Sequence, residues 1–420
     1  MQVEEFLERS ARRLPDKLAL VCGARRLTYG ELDRRANALA HDLAARGVAR
    51  GDRVAVYLEN SVEAVIAIFA ILKAGAVFVM VNPTTKPDKL TWILNHCRAT
   101  GLVADALRLR GMTAHWESLP HLAAVWSAGA LPASGVSKPL ASLEALFDGE
   151  LPQAPPPKRS IDADLAALIY TSGTTGKPKG VMVTHLNMFS VATSIETYLE
   201  NGESDIIMNV LSLAHGYGLY QLLVTFKTGG TLVLERSFAY PYAVVENMLR
   251  ERVTGFALVP TISAILLQMD LKQYGFPALR YITNAAAAWP VQHMVELRRQ
   301  LPHVRLYSMY GMTECQRVSY LPPGEVDIRP KSVGKGMPNQ EVWVADENGN
   351  RVGPNVVGEL IIRGSHVMRG YWEDPEETGR VLTPGPLPGE KVLHGADLFR
   401  MDEEGNLYFV SRKDELIKTR

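Results

Sequence analysis

The sequence predicts an α/β protein: two successive α/β regions with mostly parallel sheets, then a smaller β-rich region. Three observations carry this. Apolar runs of strand length alternate with helix-length amphipathic runs over two long segments. A proline-rich stretch, "LPQAPPPKRS", separates them and reads as a linker. After about Lys331 the helical texture gives way to alternating apolar and polar residues around turn signals. The expected divisions are 1–160, 161–330 and 331–411, with 412–420 opening a further segment.

The elements follow in order. "RLTYGELDRRANALAHDLAARG" has helical spacing after a short strand signal, and "DRVAVYLEN" is a strand rich in β-branched residues. Ser61 can cap the helix "VEAVIAIFAILKAG", with Gly75 at its C-terminal end and "AVFVMVNP" returning as a strand. Strand, helix and buried strand make a βαβ unit, which implies parallel pairing. The pattern weakens from about Leu107 to Ser160. In the second region "DIIMNVLSLAH", "TLVLE", "LRYITNAAA" and "VRLYSMYG" read as strands. "GLYQLLVTFKTG", "PYAVVENMLRERV" and "PVQHMVELRRQL" read as helices between them. Farther on, "EVWVADENGNRVGPNVVGELIIRG" and "LFRMDEEGNLYFVSR" have hairpin patterns, the first around an Asn-Gly turn.

Composition excludes several functions. The 45 basic and 45 acidic residues balance, so no global field draws in nucleic acid or an anionic membrane. Cys22, Cys97 and Cys315 are far apart, which argues against a disulfide framework or zinc site and for a reducing cytoplasm. The most apolar stretch, Ala64 to Val81, is interrupted by Lys73 and Gly75. It falls short of the roughly 18 apolar residues of a membrane span. No signal peptide is evident at the N-terminus. Any anion site must be local.

One such site is visible. "IYTSGTTGKPKGVMVTH", Ile169 to His185, sets small and hydroxylated residues between two apolar strands. A surface turn would need fewer residues. Successive backbone N–H groups here can form an anion-binding nest. Thr171, Ser172, Thr174 and Thr175 add hydroxyl donors, Gly173 and Gly176 allow close approach, and Lys177 and Lys179 add charge. This is not the P-loop, whose last glycine follows four intervening residues and precedes Lys-Ser or Lys-Thr. Here two residues separate Gly173 from Gly176, and proline follows Lys177. The loop reads as a polyphosphate cradle between strands.

With these residues the chain resembles the acyl-adenylate-forming superfamily of acyl-CoA synthetases, peptide-synthetase adenylation domains and firefly luciferase. "YTSGTTGKPKGV" matches its phosphate loop. "LTYGELDRRANALA", "LKAGAVFVMVNP", "YGMTE", "GELIIRG", "MRGYW" and "SRKDELIK" follow in the family's order along the whole chain. The resemblance implies two stacked α/β subdomains and a small barrel-like β-rich subdomain, with the active site where the three meet. It implies ATP-dependent activation of a carboxylic acid, release of pyrophosphate, and transfer of the acyl group to a thiol.

The family's roles carry over residue by residue. Thr171 to Lys179 would cradle the β- and γ-phosphates. Glu314 resembles the ligand of Mg²⁺, Thr313 a donor to the α-phosphate, and Tyr310, beside Gly311, a ring that stacks on adenine. Asp397 resembles the acid that holds the ribose diol and Arg412 its companion. The usual Thr-Gly-Asp is Gly395-Ala396-Asp397 here, which keeps the acid and drops the threonine. Asn284, Ala285 and Ala286 fall in the family's small-residue segment beside adenine, where glycines are usual. Ser308 stands where relatives often carry Asn or Gln. His215 and Tyr217, with Ala286 and Ala287, would line the acid pocket. A lone histidine is more often structural; the family position makes His215 a wall of the active site. Amino-acid-activating relatives place an aspartate in that stretch and "LSLAHGYGLYQ" has none, which argues for a simple acyl or aryl acid.

Asp414 matches the hinge about which a smaller C-terminal domain turns. That domain supplies the family's adenylation lysine, and the sequence stops soon after the hinge position, so the expectation is a large domain alone that forms adenylate slowly. Coenzyme A is the expected acceptor, with a phosphopantetheine carrier protein as the close alternative. A nucleotide-binding module without catalysis and a luciferase-like monooxygenase are the other classes weighed.

Overall fold

The computed structural model describes residues 1–132, 134–158, 160–171 and 178–413. These divide into two compact units. The first comprises Met1–Phe189, Gly202–Ser204 and Asn209–Ser237; the second comprises Ser190–Asn201, Asp205–Met208 and Phe238–Arg420.

The first unit is built around the expected βαβ pattern. The Ser61 side chain accepts from Ala64 N at 3.1 Å and opens the helix Val62–Lys73, almost all of which is buried. Gly75, at φ +78°, turns the chain into the strand Val77–Met80, parallel to Arg53–Tyr57. Ala99–Asp105 pairs with Arg53–Tyr57, followed outward by Ala124–Ala128 and Leu140–Ser142, all parallel. On the other side Leu165–Thr171 joins Val77–Met80 in parallel, and Lys179–Thr184 closes back on it antiparallel. A second sheet pairs Thr231–Leu234 parallel to Leu18–Cys22, which forms a hairpin with Arg25–Thr28. Lys73, its side chain fully buried, binds Asp33 at 2.8 Å, Asn37 at 2.9 Å and Glu8 at 3.2 Å, joining three helices.

In the second unit Gly255–Leu258, Tyr281–Asn284 and Arg305–Tyr310 run parallel, and Ser319–Leu321 returns antiparallel. The helices Pro241–Arg250, Pro260–Leu266 and Val291–Gln300 connect or flank them. The β-rich region is an antiparallel sheet of Gln340–Ala345, Val357–Gly364, Lys391–Met401, Leu382–Pro384 and Leu407–Arg412. The α/β class with parallel sheets and an antiparallel C-terminal sheet is therefore as expected.

Two local readings are refined. The strand signal of "DIIMNVLSLAH" ends at Asn209, because Asn209 Oδ1 accepts from Leu211 N and pulls the chain into a turn. The Asn-Gly turn closes between Asp346 and Asn350, but the long ladder with Gln340–Ala345 resumes only at Glu359, opposite Ala345. Sheet membership also departs from chain order: Leu165–Thr171, beyond the proline-rich stretch, joins the sheet that precedes it. Among the described residues no helix is long and apolar enough to cross a membrane.

Candidate active site

The anticipated residues fall in both units, and each group has its own construction. In the second unit the register sets Asn284 beside Ser308 on neighbouring parallel strands. Both side chains therefore stand near carboxyl ends of strands, where α/β sheets place ligands. Asn284 is buried. Its Nδ2 donates to Ala287 O at 3.1 Å, while its Oδ1 is buried without a hydrogen-bond partner. Ala285 is buried, whereas Ala286 and Ala287 are exposed, and Ala286 adopts φ +73°, a left-handed conformation uncommon for residues with a Cβ.

Residues 311–316 form a tight turn after the strand Arg305–Tyr310. Gln316 N donates to Met312 O at 2.6 Å, and Gln316 Nε2 donates to Thr313 O at 2.5 Å. A Cβ on Gly311 would lie 2.4 Å from Gln316 O, so only glycine fits without moving the turn. Thr313 and Glu314 are presented there half-buried. The Glu314 carbonyl accepts from Met368 N at 2.8 Å, and its Oε1 accepts from the Tyr371 hydroxyl at 2.7 Å.

Tyr310 and Asp397 are brought together: the phenol donates to Asp397 Oδ2. Burial first, and the Asp397 carboxylate second, push the Tyr310 pKa well up, so it stays a donor. The Tyr310 ring meets Phe399 edge to face at 4.8 Å. Asp397 lies opposite Arg412 in the antiparallel ladder, with Arg412 Nε 3.8 Å from Asp397 Oδ1. Gly395 lies close to Met312, so the segments carrying Glu314 and Asp397 pack together.

In the first unit, Thr171 and Lys179 are cross-strand partners on either side of the glycine- and threonine-rich segment. Ser172, Gly173, Thr174, Thr175, Gly176 and Lys177 lie outside the described residues, as does Asp414. Tyr170, one residue before the loop, shares a hydrogen bond of 2.7 Å with His96 Nδ1, and Trp92 stacks on that imidazole at 4.5 Å.

His215 immediately precedes the helix Gly216–Thr228, with Tyr217 in its first turn. Buried asparagines hold the preceding loop. Asn60 Nδ2 donates to Leu211 O at 2.9 Å and Glu235 O at 2.8 Å, and its Oδ1 accepts from Leu213 N at 3.0 Å. Asn209 Nδ2 donates to Gly218 O at 3.2 Å. Asn82 contacts His215 Nε2 at 3.2 Å. The surrounding protein lowers the His215 pKa by desolvation. Sequence reasoning missed Asn60, Asn82, Asn209 and Tyr371. The three asparagines share one signal: each stands at or just after the end of an apolar strand.

The residues fit a magnesium ion carried by substrate phosphates. Glu314 offers one carboxylate with Oε1 already oriented by Tyr371. Among the described residues no group of three or more His, Cys, Asp or Glu could hold a metal ion. A Mg²⁺ ion completes such a sphere with phosphate oxygens and water.

The family of AMP-binding enzymes matches residues 7–372. Tyrocidine synthase 3 of Brevibacillus parabrevis is 32% identical over 100% of the chain, which spans only 6% of that protein's length. The crystal structure of VinN has a TM-score of 0.83 at 31% identity, covering 98% of this chain and 99% of that one. The anthranilate CoA ligase AuaEII, solved with anthranoyl-AMP, has a TM-score of 0.91 at 27% identity, covering 100% and 79%. With a family match over most of its length, the chain belongs to the AMP-binding enzymes.

Proposed function

We propose that the protein activates an acyl or aryl carboxylic acid as its adenylate and then passes the acyl group to the thiol of coenzyme A. In the first step a carboxylate oxygen attacks the α-phosphorus of ATP, a P–O bond forms, and pyrophosphate leaves. In the second a thiolate attacks the acyl carbon and AMP leaves. The acid needs this detour because oxide is a poor leaving group and AMP a good one.

The chain's own residues would do the holding. Thr171 to Lys179 bind the β- and γ-phosphates, Thr313 donates to the α-phosphate, and Asp397 with Arg412 takes the ribose diol. Tyr310, Ser308 and Asn284 to Ala286 border adenine. Glu314 would hold Mg²⁺, which would neutralise phosphate charge. In the first unit His215 and Tyr217 would border the acid; in the second Ala286 and Ala287 would. The observation that carries the reading is the Tyr310–Asp397–Arg412 group packed beside the turn that presents Glu314.

The acid class rests on the stretch around His215. Residues 211–221 contain no acidic side chain to pair with a substrate ammonium, and desolvation favours neutral imidazole there. A carrier-protein acceptor is the second reading, favoured by the match to tyrocidine synthase 3. The test is pyrophosphate release with a panel of acyl, aryl and amino acids, then thioester formation with coenzyme A or a phosphopantetheinylated carrier. Turnover confined to α-amino acids would overturn the acid class. Thioester on the carrier alone would overturn the acceptor.

A further inference from the structure

We propose that Asn82 is a positioning residue that fixes the tautomer of His215, so that the imidazole presents Nδ1–H as a hydrogen-bond donor for the oxygen of the bound acid. The role for the acid rests on the function proposed above; the tautomer does not.

The argument is one of donors and acceptors. Asn82 Oδ1 accepts from Thr84 N at 3.0 Å and from Thr84 Oγ1 at 2.8 Å. A backbone N–H can only donate, so the oxygen of the amide must face Thr84 and its NH₂ must face His215. The Asn82 Nδ2 to His215 Nε2 contact of 3.2 Å therefore has the amide as donor and Nε2 as acceptor. An accepting Nε2 carries no proton, and neutral imidazole must then carry it on Nδ1. Desolvation lowers the His215 pKa, in the same direction as a neutral imidazole.

The amide is itself braced. The Tyr57 hydroxyl donates to Thr85 O at 2.5 Å, and Arg108, ion-paired with Asp105 and Glu59, reaches Pro83 O at 3.4 Å. Across from it, Asn60 and Asn209 hold the loop and helix start on which His215 sits. Two separately braced segments thus meet at one hydrogen bond. An imidazole held this way donates to an acyl oxygen without bringing a positive charge.

Long-range ¹H–¹⁵N correlation on ¹⁵N-histidine-labelled protein reads the tautomer directly; loss of one signal set in His215→Asn assigns it among the ten histidines. The expected result is a pyridine-type Nε2 and a pyrrole-type Nδ1 at neutral pH. Asn82→Ala shifts the population toward Nε2–H, and Thr84→Ala, a milder change, shifts it partway. Asn82→Asp, which sets a carboxylate at Nε2, raises the His215 pKa by more than one unit. A wild-type Nε2 that is already protonated overturns the proposal. If the tautomer is as expected, Asn82→Ala should lower kcat/KM for the acid 10- to 100-fold while leaving KM for ATP within twofold. Asn82→Asp should move the acidic limb of the pH profile upward. A correct tautomer with unchanged kinetics would leave Asn82 controlling His215 but would refute the donor role at the acid.

Discussion

The hydroxyl of Tyr310 donates to the carboxylate of Asp397, 87 positions away, and fixes that carboxylate beside Arg412. If Asp397 takes the ribose diol, it does so from a preset orientation. Asp397→Ala should weaken AMP binding by about 1.5–3 kcal/mol, the range for hydrogen bonds to a charged group. Tyr310→Phe, which removes only the orienting donor, should weaken it less. Calorimetric titration with AMP decides this, and an Asp397→Ala protein that binds as wild type removes Asp397 from the nucleotide site.

Glu4 and His185 make opposed contributions to stability as pH changes. Val3 N donates to His185 Nδ1 at 3.1 Å, so that nitrogen holds no proton for Glu4 Oε2 at 3.5 Å. The pair is not an ion pair, and Glu4 Oε2 is left without a hydrogen bond. Burial pushes Glu4 up to about 7 from 4.5 and His185 down to about 4 from 6.5. As pH rises from 4.5 to 7, the unfolded chain releases a proton that native Glu4 keeps, so stability falls. As pH falls from 6.5 to 4, the unfolded chain takes a proton that native His185 refuses, so stability also falls. Glu4→Gln should leave stability rising with pH between about 4 and 6.5. His185→Gln should leave it falling between 4.5 and 7. Urea denaturation across that range checks both, and parallel profiles in the two variants would contradict the account.

Lys73 should be costly to remove. Its ammonium is fully buried and serves Asp33 and Glu8, which are largely buried themselves. Lys73→Met keeps much of the apolar stem but strands two carboxylates. The expected loss is about 3 kcal/mol, the low end for breaking a buried pair. Chemical denaturation measures it; a loss under about 1 kcal/mol would show that water reaches the site.

Gly311→Ala tests the turn that carries Thr313 and Glu314. The added Cβ meets backbone at Gln316 O and at the Arg317 Cα, which cannot rotate away. Overpacking of this kind costs about 1–3 kcal/mol. The variant should melt lower and bind ATP more weakly, whereas an alanine at the open Gly349 turn has no such neighbour and meets only its left-handed φ of +84°. Equal ATP affinity in Gly311→Ala and wild type would free the turn from the site.

Most elements were legible because their signals are local. Ser61 caps the helix expected there, Gly75 turns it into the next strand, and the apolar runs in "RVAVY" and "FVM" became buried parallel strands. The motif residues Tyr310, Glu314, Asp397 and Arg412 were legible through short quoted patterns, and the second unit gathers them. Non-local pairing was not legible. Nothing near Thr231 says that its strand will lie against Leu18–Cys22, and nothing near Asn82 says that it will meet His215. Periodicity reports which face of an element is apolar. It does not report which distant partner covers that face.

The chain visits the two units alternately, giving each three separate stretches. A single cut therefore cannot liberate either one. A product ending after Thr184 would lack Thr231–Leu234 and leave the Leu18–Cys22 strand with a bare edge, an invitation to intermolecular pairing. Sequential halving of this protein for crystallisation or fusion would therefore divide both units at once and expose strand edges that the intact fold keeps paired.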